Sequence, residues 1–356
     1  MDAMPRDTVQ HNNMEPFWHE VQEQPDILAR LLERWTAHEA IIAAWLEQQQ
    51  YDRVLITGMG GSWCAAYPAY LHLTGAGVLC QWIETAELLH FLQSAITPRT
   101  LLVAVSQSGE SVELVRLLEH VPHSTPILAV TNSQRSSLAR RAGATILLEA
   151  GEERTVSTKT YTASLLALHL LARTMTGREK DSLDRLHEVP AALQSVTDGW
   201  REVQDAVGEA VAGTTHLFAV GRGPSLATAM AAGLTLKEGG RIPAEGMSVA
   251  AFRHGPVEAL NEQTGILVFA PTGSTYATTA AFAEDMGQLG AKVVLISDAT
   301  VAPHASFTHV HLPVVGQWLA PVLEAVPVQL LIRHLAMQQG REPGVFRRIE
   351  KVTRVE

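Results

Sequence analysis

The chain has 356 residues, 46% of them hydrophobic, and a formal net charge of −10 at pH 7, values typical of a globular protein with two or three domains. The acidic balance argues against a nucleic-acid partner, because no basic surface is available to displace counterions from phosphates. We expect a cytoplasmic protein without a signal peptide or membrane partner, since the first 13 residues are polar, no apolar run approaches the roughly 20 residues of a membrane span, and only two cysteines occur.

Residues 1–50 are predicted to form an N-terminal helical segment. Between Ile27 and Leu46 the apolar side chains recur at helical spacing, and Pro25 is compatible with a helix break or a first-turn position. The segment carries too few basic residues for a DNA-binding helix-turn-helix, so we interpret it as a packing element.

From residue 51 to about residue 200, strand patterns alternate with helix patterns. This alternation indicates a parallel α/β sheet covered on both faces, whose binding sites lie beyond the carboxyl ends of the strands. The predicted strands are 53–57, 78–83, 101–105, 127–131 and 145–148, and the predicted helices are 63–73, 112–120, a short one from 136, and 158–174.

Three features recur in order at an offset of 163 or 164 positions, which indicates a duplicated α/β unit. They are Gly58-Met59-Gly60-Gly61-Ser62 with Gly221-Arg222-Gly223-Pro224-Ser225, the strand and glycine at 101–109 with those at 266–273, and the apolar stretch at 166–172 with that at 330–336.

We therefore predict two tandem parallel-sheet sandwiches, flavodoxin-like or Rossmann-like, related by internal duplication. The first domain is expected at 51–200, the second at 201–340 and a tail that closes the site at 341–356, with a polar connection at about 178–212.

The best candidate for a binding site is the turn Ser106-Gln107-Ser108-Gly109-Glu110-Ser111, between the buried strand at 101–105 and the helix at 112–120. A helix N-terminus has unpaired N–H donors and a partial positive charge, so amides and hydroxyls could hold an anion here. The alternative is that Ser106 or Ser108 only caps the helix. The second half has Ala270-Pro271-Thr272-Gly273-Ser274 instead, so the halves should not be equivalent binders.

Other common sites fit the sequence less well. A dinucleotide pattern beginning at Gly58 would need a glycine where the bulky Trp63 stands. The phosphate loop of NTPases and the G-x-S-x-G nucleophile elbow are both missing. His309 and His311 are close in sequence but have no third ligand in view, so we expect neither a metal nor a cofactor.

Three later residues could carry chemistry. Glu238 ends an apolar helix that should be buried, so its carboxylate needs a partner or a purpose. His254 lies on an irregular segment, and Lys351 stands near an extended C-terminal end. Each alone is most simply structural. Together with an anion site, they suit proton transfer and amine chemistry on a phosphorylated carbonyl compound.

These stretches together resemble the double-SIS (sugar isomerase) family, in particular the isomerase half of glutamine:fructose-6-phosphate amidotransferase, from about residue 52 onward. Besides the turn at Ser106, the matching motifs, in order, are Gly60-Gly61-Ser62, Val156-Ser157-Thr158-Lys159, Leu236-Lys237-Glu238, Ala244-Glu245, His254-Gly255-Pro256 and the terminal 351–356.

The resemblance implies two SIS domains and a role for each matched residue. Glu238 would move a proton between C1 and C2, and Lys351 would form an imine or contact the carbonyl. His254 would assist ring opening in the site of the neighbouring subunit, which implies a homodimer. The residues expected to bind the phosphate are Ser106, Gln107, Ser108 and Ser111. Those expected to bind the sugar are Gly61, Ser62 and Ser157.

The chain also departs from the amidotransferase pattern. Ser111 replaces a usual threonine, Thr235 replaces a lysine, and the glutaminase domain is missing, so glutamine is not the expected nitrogen source. Stand-alone members of the family include phosphosugar isomerases, amino-sugar-phosphate deaminases and fructosamine-phosphate deglycases.

The predicted function is a phosphosugar isomerase acting on a hexose or hexosamine 6-phosphate. Aldose–ketose isomerisation would be coupled to deamination of an amino-sugar phosphate or to deglycation. The alternative is a non-catalytic phosphosugar-binding regulator, against which the presence of Glu238, His254 and Lys351 argues.

Overall fold

The computed structural model describes residues 15–177 and 186–355. The first 14 residues of the predicted N-terminal segment and residues 178–185 of the predicted connection lie outside this part of the chain. The predicted domain boundaries, after residues 50, 200 and 340, stay predictions.

Two parallel five-stranded sheets form the framework. The strands of the first are β1 (Arg53–Gly58), β2 (Cys80–Glu84), β3 (Thr100–Val105), β4 (Ile127–Thr131) and β5 (Ala144–Leu147), in the order β2-β1-β3-β4-β5. Those of the second are β6 (His216–Gly221), β7 (Ala244–Ser248), β8 (Thr264–Phe269), β9 (Lys292–Ser297) and β10 (Thr308–His311), in the order β7-β6-β8-β9-β10. The identical order confirms the predicted α/β class and the duplication.

Helices cover both sheets. The helices before β6 are α1 (Pro16–Gln22), α2 (Gln24–Glu47), α3 (Gly60–Gly75), α4 (Thr85–Phe91), α5 (Val112–His120), α6 (Ser137–Arg141), α7 (Lys159–Thr176), α8 (Glu188–Asp198) and α9 (Trp200–Ala210). The helices after β6 are α10 (Leu226–Thr235), which a π-turn (Leu236–Gly240) continues, α11 (Val249–Arg253), α12 (Tyr276–Gln288) and α13 (Ala320–Gln338).

The N-terminal segment is helical, as predicted, and Pro25 occupies the first turn of α2. There its missing N–H costs nothing, because the first N–H groups of a helix have no partner inside it. α2 packs on α7 and α8 and buries Leu28, Leu31 and Trp35. The segment therefore acts as a packing element of the first half.

The two halves meet through the helices that lie between the sheets. α3 packs on α7 and α10, and α13 packs on α7 and α10. By length and composition α13 could cross a membrane, which the sequence analysis did not recognise. In the fold, 78% of that stretch is buried inside the protein, as in a core helix.

The strand register brings the two predicted turns together. Gly58, the last residue of β1, is paired with Val105, the last residue of β3, and on the other side with Glu84. The segments after Gly58 and Val105 therefore start at the same level of the same sheet edge.

Candidate active site

The turns after β1 and β3 open into one cleft of about 360 Å³. In the order β2-β1-β3 the chain crosses from one side of β1 to the other, and such a switch point leaves a crevice beyond the strand ends. The π-turn after α10 and the C-terminal tail complete the walls. The cleft thus combines the first sheet with elements of the second half.

Nine of the ten predicted site residues line this cleft. They are Gly61, Ser62, Ser106, Gln107, Ser108, Ser111, Ser157, Glu238 and Lys351. The tenth, His254, lies at the exposed end of α11 and is not part of the lining. A single chain therefore does not bring His254 to the other nine.

The Ser106–Ser111 turn folds on its own hydroxyl oxygens. Ser106 Oγ accepts the Gly109 N–H at 3.0 Å, and Ser108 Oγ accepts the Glu110 N–H at 3.1 Å. Because these oxygens act as acceptors, each O–H hydrogen can still be donated to an anion.

Neither Ser106 nor Ser108 caps α5, so the capping interpretation of the turn is wrong. The N-cap is Ser111, and its side chain makes no capping hydrogen bond. The Val112 N–H donates instead to the Thr353 carbonyl of the tail at 3.1 Å. The N-terminus of α5, with its partial positive charge, faces the cleft alongside the serines.

Gly109 allows this turn to pack closely on α6. Its φ is +65°, and a Cβ there would lie 2.3 Å from Ser136 Oγ. The neighbouring Glu110 accepts the Ser137 N–H at 2.6 Å, so its carboxylate faces the first turn of α6. Glu110 is therefore a structural member of the turn.

Glu238 lies on the π-turn that extends α10. Single π-turns inserted in α-helices are frequent at functional sites. Gly239, next to it, packs so tightly that a Cβ would lie 2.7 Å from Ile332 of α13. Burial raises the pKa of the Glu238 carboxyl above its ordinary value, although the Lys351 and Lys237 ammonium groups act in the opposite direction. A carboxylate in this environment suits proton transfer.

The C-terminal tail crosses the cleft without forming a helix or strand. Its backbone is held at two points, since Gly344 O accepts the Val156 N–H at 3.0 Å and Thr353 O accepts the Val112 N–H. Arg341 adds bonds from its guanidinium to the Gly239 and Gly240 carbonyls. The tail is thereby joined to the elements that carry Ser157 and Glu238.

Lys351 ends in a buried ion pair that the sequence analysis did not predict. Its Nζ lies 2.6 Å from Glu153 Oε2 and 2.6 Å from the Thr155 carbonyl oxygen. The carboxylate of Glu153 also accepts hydrogen bonds from Thr158 and Thr160. Burial alone would raise the pKa of Glu153, but Lys351 and these bonds outweigh it and hold that pKa below its ordinary value.

Three other cleft residues were not predicted as functional. Thr235 lies one turn before Glu238, and its hydroxyl donates to the Ala231 carbonyl, so no amine stands at that position. Glu84 and Glu113 also face the cleft, and burial raises the pKa of Glu84. The hydroxyl groups of a sugar can donate hydrogen bonds to such carboxylates.

Within residues 15–177 and 186–355, no group of three His, Cys, Asp or Glu side chains is placed to hold a metal ion.

Residues 48–173 and 211–338 each match the SIS domain family. The chain belongs to the SIS domain family. Both matches fall on the two halves that the sheets define.

Curated relatives agree with this assignment. An isomerizing glutamine–fructose-6-phosphate aminotransferase from Zymomonas mobilis is 30% identical over 354 residues, covering 95% of this chain and 58% of the relative. The chain thus spans less than two thirds of the length of such relatives. The matched share corresponds to their SIS repeats, which makes the SIS chain homologous to their isomerase domain.

Solved structures share the fold. The C-terminal domain of glucosamine-fructose-6-phosphate aminotransferase from Francisella tularensis superimposes with a TM-score of 0.86 at 22% identity, covering 95% of this chain and all of that domain. A glucosamine-6-phosphate deaminase from Thermotoga maritima gives a TM-score of 0.76 at 20% identity, with 95% and 99% covered. At these identities the likeness concerns the architecture.

Proposed function

We propose that this SIS chain is a phosphosugar isomerase acting on a hexose or hexosamine 6-phosphate, with aldose–ketose isomerisation coupled to deamination or deglycation. The observation that carries the proposal is the position of Glu238, a carboxylate with a raised pKa in the same cleft as the Ser106–Ser111 turn. A base and an anion site in one crevice suit a substrate with a phosphate at one end and a carbonyl at the other.

The phosphate is assigned to the turn. The hydroxyls of Ser106, Ser108 and Ser111, the Gln107 side chain and the start of α5 supply hydrogen-bond donors without a full positive charge. Ser62 and Ser157, which line the same cleft, are assigned to orient the sugar chain.

Glu238 is assigned the proton transfer. With a 2-amino-2-deoxyaldose 6-phosphate, the carboxylate takes the C2 proton of the open chain and returns it to C1. The product is a ketose imine, and water then replaces the nitrogen to give a ketose 6-phosphate and ammonia. With a 1-amino-1-deoxyketose 6-phosphate the proton moves from C1 to C2, and hydrolysis of the aldose imine releases the amine. Both sequences are redox-neutral and consume one water.

Lys351 and His254 are assigned supporting roles. Lys351, which pairs with Glu153, is assigned to polarise the carbonyl or to form an imine with it. The exposed His254 would assist ring opening in a partner subunit's cleft, with the homodimer as the active unit.

The test is a screen of hexosamine 6-phosphates and fructosamine 6-phosphates for release of ammonia or amine, with deuterium incorporation at C1 and C2 followed by NMR. We expect release and incorporation with at least one compound. Tight binding by calorimetry without release or incorporation would contradict the proposal and favour the non-catalytic regulator. Borohydride reduction during turnover, followed by peptide mapping of Lys351, separates an imine from carbonyl polarisation.

A further inference from the structure

A second groove, of about 580 Å³, shares Glu238 with the cleft, and no residue of the Ser106–Ser111 turn belongs to its lining. It is lined by four cationic side chains: Lys237, Arg241, Arg347 and Arg348. Glu238 is the only acidic residue in the described lining. In a chain with a net charge of −10, such a local excess of positive charge is not a consequence of composition.

Three of these cations make no direct contact with a carboxylate, although Lys237 acts on Glu238 from a distance. Within the described ranges 15–177 and 186–355, Lys237, Arg347 and Arg348 form no ion pair or side-chain hydrogen bond with an acidic residue. Arg354, in the same tail, by contrast pairs with Glu350 at 3.9 Å. Uncompensated like charges repel one another, so their convergence costs stability unless an anion joins them.

Arg241 supplies a second, independent observation. Its backbone lies in the left-handed region, with φ +53° and ψ +37°, directly after two glycines that could adopt this conformation without strain. Strained non-glycine residues cluster at functional sites. The side chain donates to the Val345 carbonyl at 3.3 Å and so fixes the tail beside the groove.

The groove is continuous with the candidate active site. Glu238, Phe346 and Ile349 line both spaces. If the phosphate lies at the Ser106–Ser111 turn and the reacting carbons lie at Glu238, a substituent on the substrate nitrogen extends past Glu238 towards Lys237, Arg347 and Arg348.

We propose that this groove is a subsite for a carboxylate carried by the substrate's amine. Resting on the proposed function, this inference narrows the substrate class to conjugates of a ketose 6-phosphate with an amino acid. Guanidinium groups bind carboxylates through paired hydrogen bonds, which explains the use of arginine at three of the four positions. The released amine is then an amino acid.

The test uses two inert probes, N-carboxymethyl-1-amino-1-deoxyglucitol 6-phosphate and its N-propyl counterpart, which lack the carbonyl needed for turnover. Calorimetry should show the carboxymethyl compound binding about tenfold to a hundredfold more tightly, the range of charged hydrogen bonds. The ratio of the two affinities should fall towards one in the double variant Arg347→Gln/Arg348→Gln. Arg354→Gln, an arginine of the same tail outside the groove, should keep the ratio.

Equal affinities in the wild type, or a ratio that survives in the double variant, would overturn the inference. Binding of glucitol 6-phosphate itself, and the turnover screen described above, show separately whether the proposed function holds. If glucitol 6-phosphate binds and neither probe does, the subsite fails alone. If none of the three binds and no substrate turns over, both proposals fail.

Discussion

The two halves of the SIS chain share one strand order but differ at the carboxyl edge of their sheets. In the second half, Ser225 and Thr228 donate to the buried Glu324 at 2.7 and 2.8 Å. Thr272 donates to Asp298 through its N–H at 2.5 Å and its hydroxyl at 2.9 Å. The cavity beside Asp298 and Glu324 holds only about 10 Å³, whereas the cleft of the first half holds about 360 Å³.

Among the described residues of the first half, no carboxyl group accepts a hydrogen bond from the Ser106–Ser111 turn. The α7 position that corresponds to Glu324 is Thr160, and the serines of the Ser106–Ser111 turn bond to backbone amides of the turn itself. Duplication therefore produced two equivalent frameworks, and carboxylates on α13 and after β9 satisfy the donors of one. The donors of the other stay available to a ligand.

The largest effect should come from comparing the half-buried Glu238 with the buried Glu324. Glu238→Gln should lower turnover by about 10² to 10⁴-fold, because the amide cannot accept the substrate proton. Hexose 6-phosphate binding, measured by calorimetry, should persist. Glu324→Gln is the matched control in the second half and should leave turnover close to that of the wild type. Equal losses in the two variants would contradict the asymmetry of the halves.

The second comparison concerns Glu153, whose counterpart in the second half is Gln317. Glu153→Gln should lower kcat by about tenfold to a hundredfold, because loss of the ion pair lets Lys351 move from its place. If Glu153 acts through Lys351, the double variant with Lys351→Ala should be no slower than Lys351→Ala alone. Additive losses would show that Glu153 acts independently.

The third comparison exchanges hydroxyls at corresponding turn positions. Ser108→Ala should weaken hexose 6-phosphate binding about tenfold, since a hydrogen bond to a charged group is worth about 1.5–3 kcal/mol. Thr272→Val should leave affinity unchanged and lower the free energy of unfolding by about 1–3 kcal/mol, because Asp298 loses a donor. Calorimetry and urea titration measure the two effects. Unchanged affinity in Ser108→Ala would remove the turn from the site.

The fourth comparison asks whether the first half's cleft uses the second half of a partner. Mixing inactive Glu238→Gln subunits with inactive His254→Ala subunits should restore up to about a quarter of wild-type activity, because half of randomly mixed dimers carry one intact site. Proven subunit exchange without recovery would place both residues in the site of one chain.

The last comparison concerns stability alone and expects no change in turnover. Burial raises the pKa of Glu324 to about 7, so the folded protein holds this proton more tightly than the unfolded chain. Stability from this group is complete below the ordinary pKa of glutamate and is lost as the pH rises through 7. Between pH 5 and 8, the wild type should lose on the order of 2–3 kcal/mol relative to Glu324→Gln, which does not titrate. The glutamine oxygen can accept from one of the Ser225 and Thr228 hydroxyls, and its NH2 group can donate to the other after that hydroxyl rotates. Denaturant unfolding of both proteins at each pH checks this difference. The contributions of the other carboxylates to the pH dependence are the same in both proteins and cancel. A parallel pH dependence in the two proteins would contradict it.

Much of the fold and of the cleft follows from local sequence patterns. Buried parallel strands such as Leu101 to Val105 are continuous apolar runs, and the glycine turns after β1 and β6 recur at a constant offset. Because the ends of neighbouring parallel strands lie at one sheet edge, residues 49 positions apart, such as Ser62 and Ser111, could be assigned to one site.

Other features depended on tertiary contacts. The strand β7, Ala244–Ser248, has a composition that does not predict a strand. Its Gly246 lets α10 pack closely, because a Cβ on residue 246 would lie 2.1 Å from Ala229 O. Likewise, Glu153 stands in a charged run, Glu152-Glu153-Arg154, that resembles a solvated loop.

The same holds for the groove and for the closed edge. Lys237 and Arg348 are more than 100 positions apart. Glu324 lies in the first part of α13, residues 320–328, which is otherwise apolar. Sequence periodicity reports which face of an element is buried. Which charge meets which partner is decided only when the tail, α13 and the π-turn pack together, because electrostatic pairing acts between atoms that are close in space at any separation in sequence.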